Sequence, residues 1–117
     1  MRTEKDFSPA DPGELEPYGF DFITHIGPSE TIVSADWEIE ALDDMLLDGY
    51  TLDPDANSRL VGFPSVDIPP GGSRVTRAVH QLSGLQPGNT YRLLARATTD
   101  AGNNPSLWAH VTCEPLT

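Results

Sequence analysis

The chain has 117 residues, which is enough for one domain with a buried core and too few for two. Eighteen acidic against seven basic residues give a net charge of −11, and this field argues against nucleic acid as a partner because phosphates would be repelled. No apolar stretch approaches the length of a membrane span, so we expect no membrane partner, and one cysteine cannot form an internal disulfide.

The negative charge is concentrated in the first half of the chain. Residues 1–57 hold fifteen acidic and two basic residues, whereas residues 58–117 hold three acidic and five basic ones. The acidic half could therefore meet the basic half of another copy, or a basic partner. The alternative is that the acidity only keeps the protein soluble.

Residues 1–17 differ in composition from the rest. Prolines and a glycine interrupt a polar, acidic stretch, which predicts an extended or flexible arm in the free protein. Phe7 and Leu15 are its large apolar side chains beyond Met1, and we consider both as anchors that dock on a neighbouring subunit. Residues 18–117 are predicted to form one β domain.

The first part of that domain alternates between apolar and polar residues. Phe20 and Phe22 are predicted core residues of a first strand. A second strand is predicted over residues 31–40, with one buried face and one wet face. The residues predicted on its buried face are Val33, Ala35, Trp37 and Ile39. Trp37 is the expected core anchor, with its indole N–H hydrogen-bonded.

Residues 41–57, called the acidic segment below, fit either a short helix or a loop. Asp43, Asp44 and Asp48 lie here and are candidate interaction residues on an exposed loop. Asp53-x-Asp55-x-Asn57 begins like a calcium loop, but serine and proline stand where that loop requires glycine and glutamate. We therefore predict a turn, and no metal site.

The second half of the chain predicts further strands, for a total of about seven. They lie near 59–63, 73–82, 90–98 and 107–113. A Leu-x-Pro-Gly turn at 85–88 leads to Tyr91, a pattern that predicts a tyrosine corner in which the hydroxyl bonds back to the upstream backbone. Cys113 is predicted to be buried and inert. Trp108 points outward as a candidate interface residue, unless the register slips and it packs under a loop.

No combination of residues predicts catalysis. The three histidines are dispersed without ligand spacing, and there is no nucleophile elbow, phosphate loop or dinucleotide motif. We expect neither an enzyme nor a cofactor.

Several short stretches resemble small virion proteins of tailed bacteriophages, of the fiber-tail adaptor type. They are Lys5-Asp6, Tyr18–Phe22, Ser29–Ile32, Ser34–Trp37, the Gly88-x-x-Tyr91 pair and Ala97–Gly102. The resemblance extends over residues 4–113. The acidic segment and an extra Gly27-Pro28 depart from the family pattern, which leaves the docking partner undetermined.

The resemblance implies an all-β, immunoglobulin-like (fibronectin III-like) antiparallel β-sandwich with an N-terminal arm and no catalytic residues. It further implies a virion protein, made in the host cytoplasm, that links the tail or head–tail junction to fibers or other virion components as a homo-oligomer. Two alternatives remain open. One is a capsid decoration or head-fiber protein, and the other is a carbohydrate-binding adhesion module in which Trp108 and Tyr50 stack on sugar.

Overall fold

A computed structural model describes residues 6, 7 and 10–115. Within these residues the chain forms six strands, not about seven, and three short 3₁₀ helices at 23–25, 43–45 and 56–59. The predicted strand at 73–82 begins only at Arg77, because the residues before it form turns and bends. The strands are β1 (Glu16–Asp21), β2 (Ile32–Ala41), β3 (Leu60–Asp67), β4 (Arg77–Leu82), β5 (Thr90–Thr99) and β6 (Ser106–Thr112).

The strands form two three-stranded antiparallel sheets, an all-β arrangement compatible with a β-sandwich. One sheet has the order β1-β4-β3 and the other β2-β5-β6. Their inward-facing side chains form one hydrophobic cluster. Phe20, Phe22 and Tyr91 are buried in it, so the two phenylalanines lie in the core where the alternation places them.

Strand β2 departs from the predicted alternation near its start. The register with β5 shifts between Ile32 and Ser34, and this irregularity leaves Val33 56% exposed. Its placement on the buried face is therefore wrong, whereas Ala35 and Ile39 are buried as predicted.

Trp37 is also less buried than the alternation predicts. Its ring lies 5.3 Å from that of Phe20 and 5.9 Å from that of His80, but the side chain is only half-buried. Its indole Nε1 has no hydrogen-bond partner among the described residues, so the predicted bonded N–H is wrong. Trp37 belongs to β2, an edge strand that pairs with β5 on one side only. Its side chain lines an open cavity, which leaves it partly exposed.

Strands β5 and β6 supply the centre of the core. Leu93, Ala109 and Val111 are fully buried, as the alternation predicts. Cys113 follows β6 and is also fully buried. Burial raises the pKa of its thiol to about 11, which keeps the sulfur protonated and unreactive.

The described part of the arm docks on its own chain. The backbone N–H groups of Phe7 and Ala10 donate to carbonyl groups of β6, at 3.0 and 2.9 Å. Ala10 forms a parallel bridge with Cys113, and the Phe7 ring packs on Tyr18 and Phe20 at centroid distances of 5.0 and 5.3 Å. The interpretation of Phe7 as an anchor on a neighbouring subunit is thus corrected, because its ring already packs on β1.

The Gly27-Pro28 turn is held by one carboxylate. Glu30 accepts hydrogen bonds from the Gly27 N–H at 2.7 Å, from the Asn103 side chain at 2.9 Å, and from the Thr99 hydroxyl. The Gly27 bond, with these others, lowers the pKa of Glu30. Gly27 and Pro28 therefore belong to an ordered turn that joins the start of β2 to the turn after β5.

Candidate interaction site

The tyrosine corner forms as predicted, and its hydroxyl also bonds to a residue of the acidic segment. The Tyr91 hydroxyl accepts a hydrogen bond from the Gln86 N–H at 2.9 Å, which confirms the bond to the upstream backbone. The same hydroxyl donates to Asp53 Oδ2 at 2.7 Å. Because Asp53 belongs to the acidic segment, the corner attaches that segment to the core.

Asp53 is the centre of a buried network. Its side chain is fully buried, and Arg59 donates from Nε and Nη2 to its two carboxylate oxygens at 2.9 Å each. The Asp55 N–H adds a third donor at 2.9 Å. The Arg59 hydrogen bonds, helped by Tyr91, hold the pKa of Asp53 at about 2. A buried charge is stable only when it is paired in this way.

A buried amide completes the attachment. Asn89 Oδ1 accepts a hydrogen bond from the Asp53 N–H at 2.9 Å, and Asn89 Nδ2 donates to the Thr51 carbonyl at 3.1 Å. Gly88 has φ of +79°, and a side chain there would meet the Tyr50 ring at 2.3 Å. The acidic segment is therefore held at several points along its length, and it packs directly on the turn that leads into β5.

The outer side of the acidic segment displays apolar groups among acids. Met45, Leu47 and Tyr50 are 41%, 44% and 36% exposed. The candidates Asp43, Asp44 and Asp48 are exposed beside them, the first two in the 3₁₀ helix at 43–45. The segment is thus neither a regular helix nor an unanchored loop.

Leu15 lies at the same end of the fold and is 60% exposed. It precedes Glu16, which pairs with the last residue of β4, and the nearby Gly13 N–H donates to the Leu85 carbonyl at 3.2 Å. The structure therefore brings Leu15 and the acidic segment to the end where β5 begins. Leu15 stays a candidate contact there.

Trp108 lies elsewhere, on the outer side of the β5–β6 pair. It is half-buried opposite Leu94, with the His110 ring 5.3 Å away and the Arg92 guanidinium 5.8 Å from its own ring. It alternates outward as predicted, but it is separate from the acidic segment.

Sequence reasoning missed Phe63, which is 95% exposed. Val61 pairs with Gln81 and Ser65 with Val79, so β3 carries two more residues than β4 over this stretch. Gly62 takes φ of +71° within the resulting bulge. The available signal was the Gly-Phe-Pro sequence inside a strand, since glycine and proline there typically mark a bulge.

An open cavity of about 460 Å³ lies beside β2 and extends to β3. Trp37, Ile39, Leu60 and Leu94 give it apolar walls. Glu40 and Arg92 also line it, and they form an ion pair at 2.7 Å. Glu38 and Asn57 complete its lining.

Among residues 6, 7 and 10–115, no group of three or more histidine, cysteine, aspartate or glutamate side chains is placed to hold a metal ion. In the same part of the chain, no helix has the length and apolar character to cross a membrane.

Comparison with known proteins gives no match to a protein-family model, to a curated protein or to a solved structure.

Proposed function

We propose that this chain is a non-enzymatic virion protein of a tailed bacteriophage, an immunoglobulin-like adaptor that links the tail or head–tail junction to fibers or other virion components. The observation that carries the proposal is the acidic segment, which leaves Met45, Leu47 and Tyr50 partly exposed while Asp53 fixes it to the core. The resemblance of residues 4–113 to the fiber-tail adaptor type supports the phage context.

The buried network around Asp53 supports a binding role for the acidic segment. A loop that serves only solubility has no need of a buried ion pair, an amide and a tyrosine hydroxyl to fix its backbone. Prior ordering lowers the entropy lost on association, and it strengthens binding without new contacts. Exposed methionine and tyrosine side chains are typical of interface anchors.

The immunoglobulin-like identity of the fold is part of this proposal. Two antiparallel sheets, the Tyr91 bond to the Gln86 N–H, and an N-terminal segment that runs parallel to the end of β6 all support it. A fold of this kind hosts many functions, so the displayed surface carries the functional argument.

The proposed partners are other virion proteins and further copies of the chain, without nucleic acid, membrane or cofactor. Net charge supports a protein partner with basic groups, because the exposed acids Asp43, Asp44 and Asp48 surround the apolar side chains. The proposed location is the virion after synthesis in the host cytoplasm.

The carbohydrate-binding alternative has less support from the geometry. Trp108 lies opposite Leu94 within the β5–β6 pairing, whereas Tyr50 packs at Gly88 before β5 begins. These separate neighbours give one shared stacking platform no support. A capsid decoration role would use the same fold and surface, and the position of the chain in the particle distinguishes it from a tail adaptor.

The test is incorporation into particles in a phage that lacks its own copy of the gene. Met45→Ser combined with Leu47→Ser should reduce incorporation at least about tenfold, because two apolar contacts are lost from the interface. Ile23→Ser is the matched control, since Ile23 is 44% exposed in the turn after β1. Equal incorporation of the double variant and this control would refute the proposed surface.

A further inference from the structure

Each sheet has two edge strands, and within residues 6, 7 and 10–115 three of these four edges are obstructed. β6 is covered by the arm of its own chain, because the Phe7 and Ala10 N–H groups donate to β6 carbonyl groups. β3 is interrupted by its bulge and by Pro64, and β1 contains Pro17. Covering segments, bulges and prolines are the usual means by which an edge strand is kept from pairing with another chain.

β2 is the fourth edge, and it differs from the other three. It is ten residues long and contains neither glycine nor proline, and its register with β5 is continuous from Ser34 to Ala41. Its first residue is engaged on the outer side, where the Ile32 N–H donates to the Val75 carbonyl at 2.9 Å. Beyond that point β5 is its one partner strand among the described residues. A long, regular edge of this kind is a template for a further strand.

The pairing with β5 shows which backbone groups of β2 face the open edge. The N–H of Leu42, directly after β2, donates to the Thr90 carbonyl of β5 at 2.9 Å. The backbone groups of successive residues point to opposite sides of a strand, so residues 36, 38 and 40 also face β5. The N–H and C=O groups of Trp37 and Ile39 therefore point away from β5, toward the open edge.

The cavity beside β2 lies along this edge. Four consecutive residues of β2, numbers 37 to 40, line it. Because successive side chains point to opposite faces of a sheet, a cavity that touches all four reaches the strand at its edge. Asn57 and Leu60 bring the 3₁₀ helix at 56–59 and the start of β3 to its wall. Its volume of about 460 Å³ lies within the range of ligand pockets, so it can hold side chains of an added segment.

Charge indicates the kind of segment that fits. Asp36, Glu38 and Glu40 are exposed on the outer face beside the edge. Glu40 forms an ion pair with Arg92, but Glu38 lies opposite Leu94, so β5 does not balance its charge. Opposite charges on neighbouring strands stabilise their pairing, and the net charge of −11 attracts a cationic partner at long range.

We propose that the free edge of β2 accepts an extended strand of a partner protein in which basic residues alternate with apolar ones. The added strand forms main-chain hydrogen bonds with Trp37 and Ile39. Its apolar side chains enter the cavity, and its basic side chains lie beside Glu38 and its acidic neighbours. In strand addition the main-chain bonds provide affinity and the alternate side chains provide specificity. The site goes beyond the proposed adaptor surface, because it lies on β2 and not on the outer side of the acidic segment.

A capped seven-residue peptide in which lysine alternates with valine tests the site by isothermal titration calorimetry. The full chain should bind it with a dissociation constant below about 1 mM, and Glu38→Lys should raise that constant at least tenfold. Glu114→Lys is the matched control, because it changes the net charge equally, while the exposed Glu114 follows β6 at the opposite edge of the sheet. No binding up to about 1 mM, or equal weakening by both variants, would overturn the proposal.

Methylation of the peptide backbone separates strand addition from simple attraction between charges. In an added strand of either direction, the N–H groups of alternate residues bond to β2 and the others point away. One peptide is methylated on every lysine backbone nitrogen and a second on every valine backbone nitrogen. One of the two should bind at least tenfold more weakly than the unmethylated peptide, and the other should bind as well as it does. Equal affinities for the two peptides are incompatible with an added strand.

Amide hydrogen exchange of the full chain locates the bound peptide. At saturating peptide, exchange of the Trp37 and Ile39 N–H groups should slow at least tenfold. Exchange at Glu38 and Glu40 should change little, because their N–H groups already face β5. Unchanged exchange at Trp37 and Ile39 would show that the peptide binds elsewhere, and the strand site would be wrong.

This proposal and the adaptor role fail separately. A chain that does not bind the peptide but incorporates into particles would remove the strand site and leave the adaptor role intact. A chain that binds the peptide along β2 but is absent from particles would remove the adaptor role and leave the strand site.

Discussion

Replacement of Asp53 by alanine is expected to lower the free energy of unfolding by about 3–5 kcal/mol, the usual loss when one partner of a buried ion pair is removed. Arg59 would keep its charge with a side chain only 18% exposed, and Tyr91 would lose the acceptor of its hydroxyl. Chemical denaturation followed by circular dichroism measures this change. Binding through the acidic segment should also weaken, because its ordering depends on the same carboxylate.

Asp48→Ala is the matched control for that experiment. It removes the same charge from the same segment, but Asp48 is exposed, and surface changes of this kind stay within about 0.5 kcal/mol. If the Asp53 and Asp48 variants unfold with the same free energy, the buried network does not stabilise the fold.

The Asp53 carboxylate also predicts how stability depends on pH. Its pKa is about 2 in the fold against an ordinary value of 3.8, so its contribution to stability is present above pH 3.8 and is lost as pH falls through 2. At about 1.4 kcal/mol per unit, the contribution is roughly 2–3 kcal/mol. Asp53→Asn should flatten the fall in stability between these two pH values. If the Asp53→Asn variant loses as much stability over this pH range as the unmodified protein, the loss does not come from Asp53.

Replacement of Tyr91 by phenylalanine is the second large expected effect, at about 2–3 kcal/mol. The ring stays in place, but the Gln86 N–H loses its acceptor and buried Asp53 loses a donor. Equilibrium unfolding in urea measures the loss. Tyr50→Phe is the control, because the Tyr50 side chain is 36% exposed at the surface.

A double-mutant cycle tests whether the corner and the acidic segment act together. Because the Tyr91 hydroxyl donates to Asp53, the two single changes remove part of the same interaction. The loss in the Tyr91→Phe, Asp53→Ala double variant should therefore be smaller than the sum by at least about 0.5 kcal/mol. Strict additivity would show that the two residues stabilise the fold independently.

The sequence predicts the features that depend on neighbouring residues. Period-two alternation places Leu93, Ala109 and Val111 in the core, and the turn before Tyr91 predicts its bond to the upstream backbone. Both signals act within a few residues, and they were sufficient to predict an all-β chain.

Features that depend on distant contacts or on strand register were not predictable. Asp53 lies 38 residues from Tyr91, so a composition that indicates a turn gives no sign that the carboxylate is buried. Val33 and Phe63 are exposed because register shifts interrupt β2 and β3, and alternation assumes that no such shift occurs. The docking of Phe7 similarly depends on β6, about a hundred residues away.

Hydroxyl-radical footprinting of the free chain and of purified particles tests the central claim most directly. Met45 is 41% exposed and is readily oxidised when accessible, so it reports on the acidic segment. The account predicts that the chain is present in particles and that Met45 is oxidised in the free protein but protected in the particle. A chain absent from particles, or equal oxidation of Met45 in both states, would contradict it.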